Sequence, residues 1–387
     1  MNILWINKIL DTDNWRTTQL ELTKSLRKRG HNVVLIMTKN IGEKKPKNDD
    51  NITYIPTIPH TFLSGLIFGI ITAFYFPLIV RKRNTDLIMI DGTSIWLPFA
   101  IPLKLLGIPI ILDIRTLRIH ERSILSFDMP LYLSKYIMNG LTTITPELEE
   151  ILVKKYNIQY KKIGIWPSGV SLENFITSDT NNDIAQKSDS NKFVIIYHGG
   201  HGAARGITNL IESIAGLDSS LRKKTKLLLV GVPKQIKEEY YDLCKKIGVT
   251  EQVEILPYVE YKKIPAYIQS SDVGVIPLNP DKEFWKVSVP LKTLEYLGCG
   301  KPIIATSIPF HQRLFKKGEC GILIDSVSPK ALSEAITYMY NNKDRLNEMG
   351  LTGKEIVKSC YTWDSIAFDV EKFFKNILVN TKDESKT

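Results

Sequence analysis

The stretch "SVPLKTLEYLGCGKPIIATSIP", residues 288–309, decides how this chain is read. Pro290 suits the first turn of a helix, and Gly298 with Gly300 suits its end. Leu291, Leu294, Glu295 and Gly298 recur at helical spacing on one face, so Glu295 stands beside two leucines. "KPIIATS" follows at once, a short β-branched run of the kind buried in parallel sheets. A carboxylate on the apolar side of a helix packed on such a strand is costly unless something meets it. Its partner is expected to be a protein cation or a bound ligand.

Outward from this stretch, strand and helix alternate along the whole chain, the signature of a parallel α/β sheet. The first half offers "NILWI", "NVVLIMT", "ITYI", "DLIMID", "PIILDI" and "LTTIT"; the second offers "FVIIYHG", "KLLLVGV", "VEILPY", "VGVIPL", "PIIATS" and "GILI". Between the halves "TSDTNNDIAQKSDSN" is polar and without apolar period, as a linker is. The expected fold is α/β, with two doubly wound, Rossmann-like domains facing across a cleft. Residues 1–176 form the first, 177–192 the linker and 193–360 the second; 361–387 form a C-terminal helix and polar tail, the helix packing back toward the first domain. Ligands of such sheets lie at the carboxyl ends of the strands, so the loops after strands are where chemistry is sought.

A length of 387 residues accommodates two domains of ordinary size, and 43% hydrophobic with 24% charged residues is a globular composition, not a disordered one. Cys244, Cys299, Cys320 and Cys360 show neither metal-ligand nor CxxC spacing, so reduced thiols in a cytoplasmic setting are expected. The opening "MNILWINKILDTDN" lacks a basic region followed by a long apolar stretch, and it reads as a first strand, not a secretory signal. The net charge is +10, and residues 1–176 carry 22 Lys or Arg against 15 Asp or Glu, a balance of +7. That excess fits an anionic membrane surface or an acidic substrate. Nucleic acid is not expected, because interleaved RNP aromatics, zinc-finger spacing and a long basic helix are all missing.

Three segments carry the candidate chemistry. In "YHGGHGAARGITNLIESIAGL", Gly199, Gly200 and Gly202 let the backbone approach a ligand and a helix follows, a setting for phosphate. Arg205 stands where that helix opens, and its guanidinium can fork onto a diphosphate. The glycines do not make the GxGxxG dinucleotide fingerprint. His198 and His201 flank them; a structural or solvated role is the default for each. No HExxH or Cys/His cluster occurs, so no metal is expected. In "IPIILDIRTLRIHERS", Asp113 and Arg115 end a strand, and Arg118 and Arg122 follow at helical spacing; the run reads either as a solvated basic face or as a cationic wall of the cleft. Finally, residues 62–80, "FLSGLIFGIITAFYFPLIV", carry no charge and run into "RKR" at 81–83. This segment reads as a helix lying in a membrane interface with Arg81, Lys82 and Arg83 at the headgroups, or as a buried crossover helix; a true span would split the domain.

These motifs together resemble the retaining glycosyltransferases of family four, with the GT-B fold, over nearly the whole chain. The likeness is carried by "PLKTLEYLGCGKPIIATSIP" followed by "GECGILIDSVSPKALSEAI". Further support comes from "IGIWPSGVSLENF", "YHGGHGAARGITNLIESI", "RGHNVVLI" and "YTWDSIAFDVEKFF". The resemblance implies that Glu295 accepts hydrogen bonds from the ribose hydroxyls of a nucleoside diphosphate sugar. It sets Lys292 near the phosphates, at which the helix from Pro290 aims its N-terminus, and it puts Arg205 where the family has a diphosphate-binding lysine. Gly199, Gly200, Gly202, Pro290 and Leu291 then complete the donor contacts, and Asp113 with Arg115 take the catalytic side of the first domain. The sequence departs from the family at several places. Seven residues separate the family's two acids, and the place of the first is taken by Val287, for which Asp281 or Glu283 can substitute at the donor sugar. An arginine of the family is Gly200 here, Asp113 to Arg115 replace its histidine, and the glycine pair after the first strand is missing.

The implied reaction is hexosyl transfer with retention, without metal or other cofactor, to a glycan or lipid-linked acceptor in glycan biosynthesis. The uncharged run implies a peripheral protein on the inner face of the cell membrane. A nucleotide-sugar epimerase of the same fold, or a degenerate non-catalytic sugar-binding membrane partner, stand as alternatives.

Overall fold

The computed structural model describes residues 1–10, 17–41, 51–57, 62–91, 100–117, 128–159, 162–173, 191–202 and 205–384. Arg118, Arg122 and almost all of the expected linker lie outside them. The described chain divides into two compact units, one made of Met1–Ser168 with Trp363–Thr387, the other of Gly169–Thr362.

The first unit is built on a seven-stranded sheet in the order β3-β2-β1-β4-β5-β6-β7, every pairing parallel. The strands are β1 (Asn2–Leu10), β2 (Asn32–Asn40), β3 (Ile52–Thr57), β4 (Leu87–Asp91), β5 (Ile110–Ile114), β6 (Gly140–Thr143) and β7 (Ile163–Ile165). Runs such as Val33 to Met37 and Leu87 to Ile90 are buried throughout, which is why they read as continuous apolar stretches and not as alternating ones. β7 was not expected as a strand; three residues on a sheet edge leave too little periodicity to read.

The C-terminal helix Trp363–Glu384 belongs to this unit. Trp363, Ile366, Val370 and Phe374 join Trp5, Leu22, Leu26 and Trp166 in one core. Gly140 and Gly164 allow the approach: a Cβ at Gly140 would lie 2.8 Å from Ile377 Cδ1, and one at Gly164 2.7 Å from Phe373 Cγ. At its rim the Ser25 hydroxyl donates to Asp364 Oδ1 (2.7 Å), and Arg29 Nη2 meets Glu371 Oε2 at 2.6 Å.

The second unit has a six-stranded parallel sheet in the order β10-β9-β8-β11-β12-β13. Its strands are β8 (Phe193–His198), β9 (Thr225–Val230), β10 (Val253–Leu256), β11 (Val273–Ile276), β12 (Ile303–Thr306) and β13 (Gly321–Ile324). The unit begins before the expected linker: Val170 pairs with Thr362, and its N–H donates to Tyr361 O at 2.9 Å. In this order the chain reverses direction across the sheet between β8 and β11, so a crevice opens at the carboxyl end of β8. That end is His198.

Candidate active site

Five of the expected donor residues gather at the end of β8, all within the second unit. The strand stops at Gly199, whose φ of +91° suits glycine. A Cβ there would also lie 3.1 Å from Lys292 Cε, so glycine gives the lysine its place. Arg205 lies in the turn before the helix Ile207–Ala215 and not inside its first turn, because Gly206 intervenes at φ +67°. No side chain fits at Gly206, where a Cβ would fall 2.2 Å from Pro277 O. The Arg205 guanidinium lies 5.1 Å from the centre of the Trp285 ring, a cation–π contact, and packs beside the Gly200 backbone. Tyr197 steadies the loop by donating to Gly200 O at 2.6 Å.

Opposite stands the helix Leu291–Gly298. Pro290 is its cap and not its first residue. Thr293, Leu294, Glu295, Tyr296, Leu297 and Gly298 are buried, so Glu295 does face inward beside Leu294. The helix is pinned from behind: Thr293 Oγ1 meets His311 Nε2 at 2.9 Å, and His311 Nδ1 meets Thr306 O at 2.7 Å. A carbonyl only accepts, so Nδ1 carries the proton and Nε2 accepts from the threonine. Tyr296 packs flat over Gly274, and its hydroxyl accepts from the His198 N–H at 3.1 Å.

The protein itself supplies one hydrogen-bond partner for the Glu295 carboxylate. Oε1 accepts from the Tyr261 hydroxyl at 2.8 Å, and Oε2 lies 3.2 Å from His198 Nε2. Burial raises the Glu295 carboxyl above its ordinary value, with the Tyr261 hydrogen bond and Lys292 pulling the other way. Burial first, then the Lys292 charge, lower His198 well below the ordinary histidine value, so its imidazole is neutral. Lys292 extends over the Tyr197 ring, 5.2 Å from its centre, and burial together with the neighbouring Arg205 charge lowers it to about 7. Two half-buried cations thus stand near one another, with the Glu295 carboxyl and a neutral histidine close to Lys292. Such a pair is disfavoured alone and favoured once an anion joins it.

Asp281 and Glu283 are exposed, and Glu283 is engaged with Lys286 at 2.7 Å; Val287 is buried. His201 is wedged beside Tyr197 and Tyr240, with burial lowering it to about 4. Asp113 and Arg115 belong to the first unit and are committed inside it. Asp113 accepts from Thr142 Oγ1 at 2.7 Å and is raised to about 7 by burial, against the lowering pull of Arg115 and Thr142. Arg115 donates to Trp166 O (2.9 Å) and Ser168 Oγ (3.1 Å), its guanidinium 3.8 Å from the Trp166 ring centre. Among the described residues no group of three His, Cys, Asp or Glu side chains converges as metal ligands would. Tyr261, His198 and Tyr296 complete the site without having been singled out as its members; Tyr261 follows β10, and a search of loops after strands points to that place.

Comparison with known proteins bears on family and fold. Residues 17–174 match Glycosyltransferase Family 4, and residues 178–356 match Glycosyl transferases group 1. The chain is 24% identical over 220 residues to a D-inositol 3-phosphate glycosyltransferase of an Arthrobacter species, covering 55% of this chain and 51% of the relative, so it spans about half the length of that curated protein. Its fold is similar to sucrose-phosphate synthase of Thermosynechococcus elongatus (TM-score 0.76, 16% identity, 98% of this chain and 100% of that one). It is likewise similar to the Anabaena protein HepE in complex with UDP-glucose (TM-score 0.72, 14% identity, 97% and 99%). The two family matches cover the second sheet and all of the first but β1, and the chain belongs to the family-four, group 1 glycosyltransferases of GT-B fold.

Proposed function

We propose that this chain transfers a sugar from a nucleoside diphosphate sugar to a glycan or lipid-linked acceptor, with retention of configuration, at the cytoplasmic face of the cell membrane. The observation that carries this reading is the meeting of Lys292, Arg205 and the Gly199–Gly202 loop at the mouth of β8, beside the inward carboxylate of Glu295. The diphosphate is the charge that must be stabilised as the sugar departs, and paired cations beside a glycine loop supply that without metal. Vicinal ribose hydroxyls suit Glu295, whose Oε1 accepts from Tyr261 and whose Oε2 lies beside His198 Nε2, a ring nitrogen without a hydrogen-bond partner among the described residues. The neighbour HepE, solved with UDP-glucose, supports the donor class.

The test is calorimetric titration with UDP-glucose and other nucleoside diphosphate sugars. Glu295→Gln is expected to bind donor at least tenfold more weakly while its melting temperature is kept, since a buried charge is removed and the shape is not. Arg205→Ala is expected to weaken the nucleoside diphosphate about tenfold or more and to leave the nucleoside untouched, a charge-assisted hydrogen bond contributing roughly 1.5–3 kcal/mol. Unchanged donor affinity in Glu295→Gln removes that residue from the site. A second reading is favoured by the buried Val287 and the outward Asp281 and Glu283: a sugar-nucleotide-binding partner without catalysis, for which donor binds but is neither transferred nor hydrolysed. Release of a free sugar would instead mark an epimerase.

A further inference from the structure

The helices Phe62–Phe74 and Phe76–Lys82 of the first unit have two unlike faces. One is core: Phe68, Thr72, Phe76 and Val80 are no more than 1% exposed, and Phe68 meets Phe76 edge to face at 5.9 Å. The opposite face is just as apolar and stands in solvent. Leu66, Ile70, Phe74 and Leu78 recur every four residues along it, Phe74 at 76% exposure and Leu78 at 62%. The short helix Ile101–Lys104 packs against both and extends the patch with Ile101 and with Leu105, 81% exposed.

A stripe of this kind is unusual on a water-facing surface, and contiguous apolar patches mark contact sites. Charge indicates which contact. Arg81, Lys82 and Arg83 are exposed where the stripe ends, and from residue 62 to 85 there is no acidic side chain. Apolar side chains bordered by uncompensated cations and an aromatic fringe (Phe74 and the half-exposed Tyr75) match the acyl–headgroup boundary of an anionic bilayer. The same run, Ser64–Lys82, is long and apolar enough to cross a membrane by length alone. It cannot do so while its other face is part of the sheet's core.

We infer that the solvent face of these three helices, Leu66–Ile70–Phe74–Leu78 with Ile101 and Leu105, seats the first unit in the interface of an anionic phospholipid bilayer, with Arg81, Lys82 and Arg83 on the headgroups. The helices lie along the surface and do not span it. Phe68, which a reading of the apolar run alone would place in lipid, faces the protein. This attachment stands on the first unit's surface and not on the donor site, so either can fail without the other.

The full chain is tested by co-sedimentation with vesicles of phosphatidylcholine alone and of phosphatidylcholine mixed with phosphatidylglycerol. Wild type is expected to bind both and to prefer the anionic ones, a preference that falls as salt rises. Replacing Arg81, Lys82 and Arg83 by glutamine is expected to lower the anionic-over-neutral ratio roughly tenfold or more. Ile70→Ser with Phe74→Ser is expected to abolish binding to both vesicles at unchanged melting temperature and unchanged UDP-glucose affinity. Leu105→Ser, on a separate helix, gives an independent arm and is expected to weaken binding severalfold. Wild type that ignores both vesicles, or a serine variant that sediments like wild type, overturns the inference. So does a wild-type dimer that these serines turn into a monomer, since a second copy would then cover the face.

Discussion

Lys292 is held in a place that does not suit a cation until an anion arrives. In the free protein burial and Arg205 lower it to about 7, so near neutral pH part of the population is uncharged. A diphosphate favours the charged form, and binding therefore takes up protons. Titrating UDP into the protein in buffers of differing ionisation enthalpy should show uptake that is small below about pH 6 and grows toward alkaline pH, where more of the free lysine has lost its proton. Binding without proton uptake at any pH would place the phosphates away from Lys292. At this scale the chain was only partly legible. Glu295, Lys292 and Arg205 sit in segments whose helical or glycine pattern exposes them, whereas Tyr261 reaches Glu295 from 34 residues away and no local pattern announces it. Asp113 and Arg115 stand out as a charged pair at a strand end, whereas their partners Thr142, Trp166 and Ser168 come from distant segments that no local pattern announces.

The strand pair β5 and β6 holds a titratable group with a measurable signature. Asp113 is fully buried, and its carboxyl is raised to about 7, while an unfolded aspartate titrates near about 3.9. Between those values the unfolded chain has lost the proton and the folded one keeps it, so stability falls as pH rises through the window, by at most about 1.4 kcal/mol per pH unit. Asp113→Asn retains the acceptor for the Thr142 hydroxyl and has no proton to lose. Urea melts over a pH series should show wild type losing ground to Asp113→Asn from about pH 4 to 7 and level above it; parallel curves would mean the carboxyl is solvated. Elements were the most legible level. Buried parallel strands announce themselves as unbroken apolar runs such as "NVVLIM", and only the three residues of β7 escaped. The run from 62 to 82 announced a helix but not its orientation, since apolar residues on all sides do not say which face the sheet takes.

Across the whole molecule, each unit has a core of its own, that of the first including Trp5 and Phe374 and that of the second including Ile195 and Leu229. Heating the intact chain should give two calorimetric transitions. A hundredfold excess of UDP over its dissociation constant, contributing about 2.7 kcal/mol, should raise one of them alone. A single transition that shifts as one would mean that the cores unfold together. The division into two α/β sheets was legible, because the strand–helix alternation restarts at "FVIIYHG". The crossing at Ser168 and Gly169 was not, since the polar stretch that looks like a linker follows it. One consequence follows from the helix Trp363–Glu384 closing the first unit. On the ribosome, the sheet of β1 to β7 is made first, yet Trp5, Leu22, Leu26 and Trp166 lack their cover until residues 363–384 leave the exit tunnel. The entire second unit is translated in between. At roughly 5–20 residues per second the first sheet waits on the order of tens of seconds with an oily seam open. The first unit is therefore finished after the second, and the nascent chain is most in need of a chaperone during that interval.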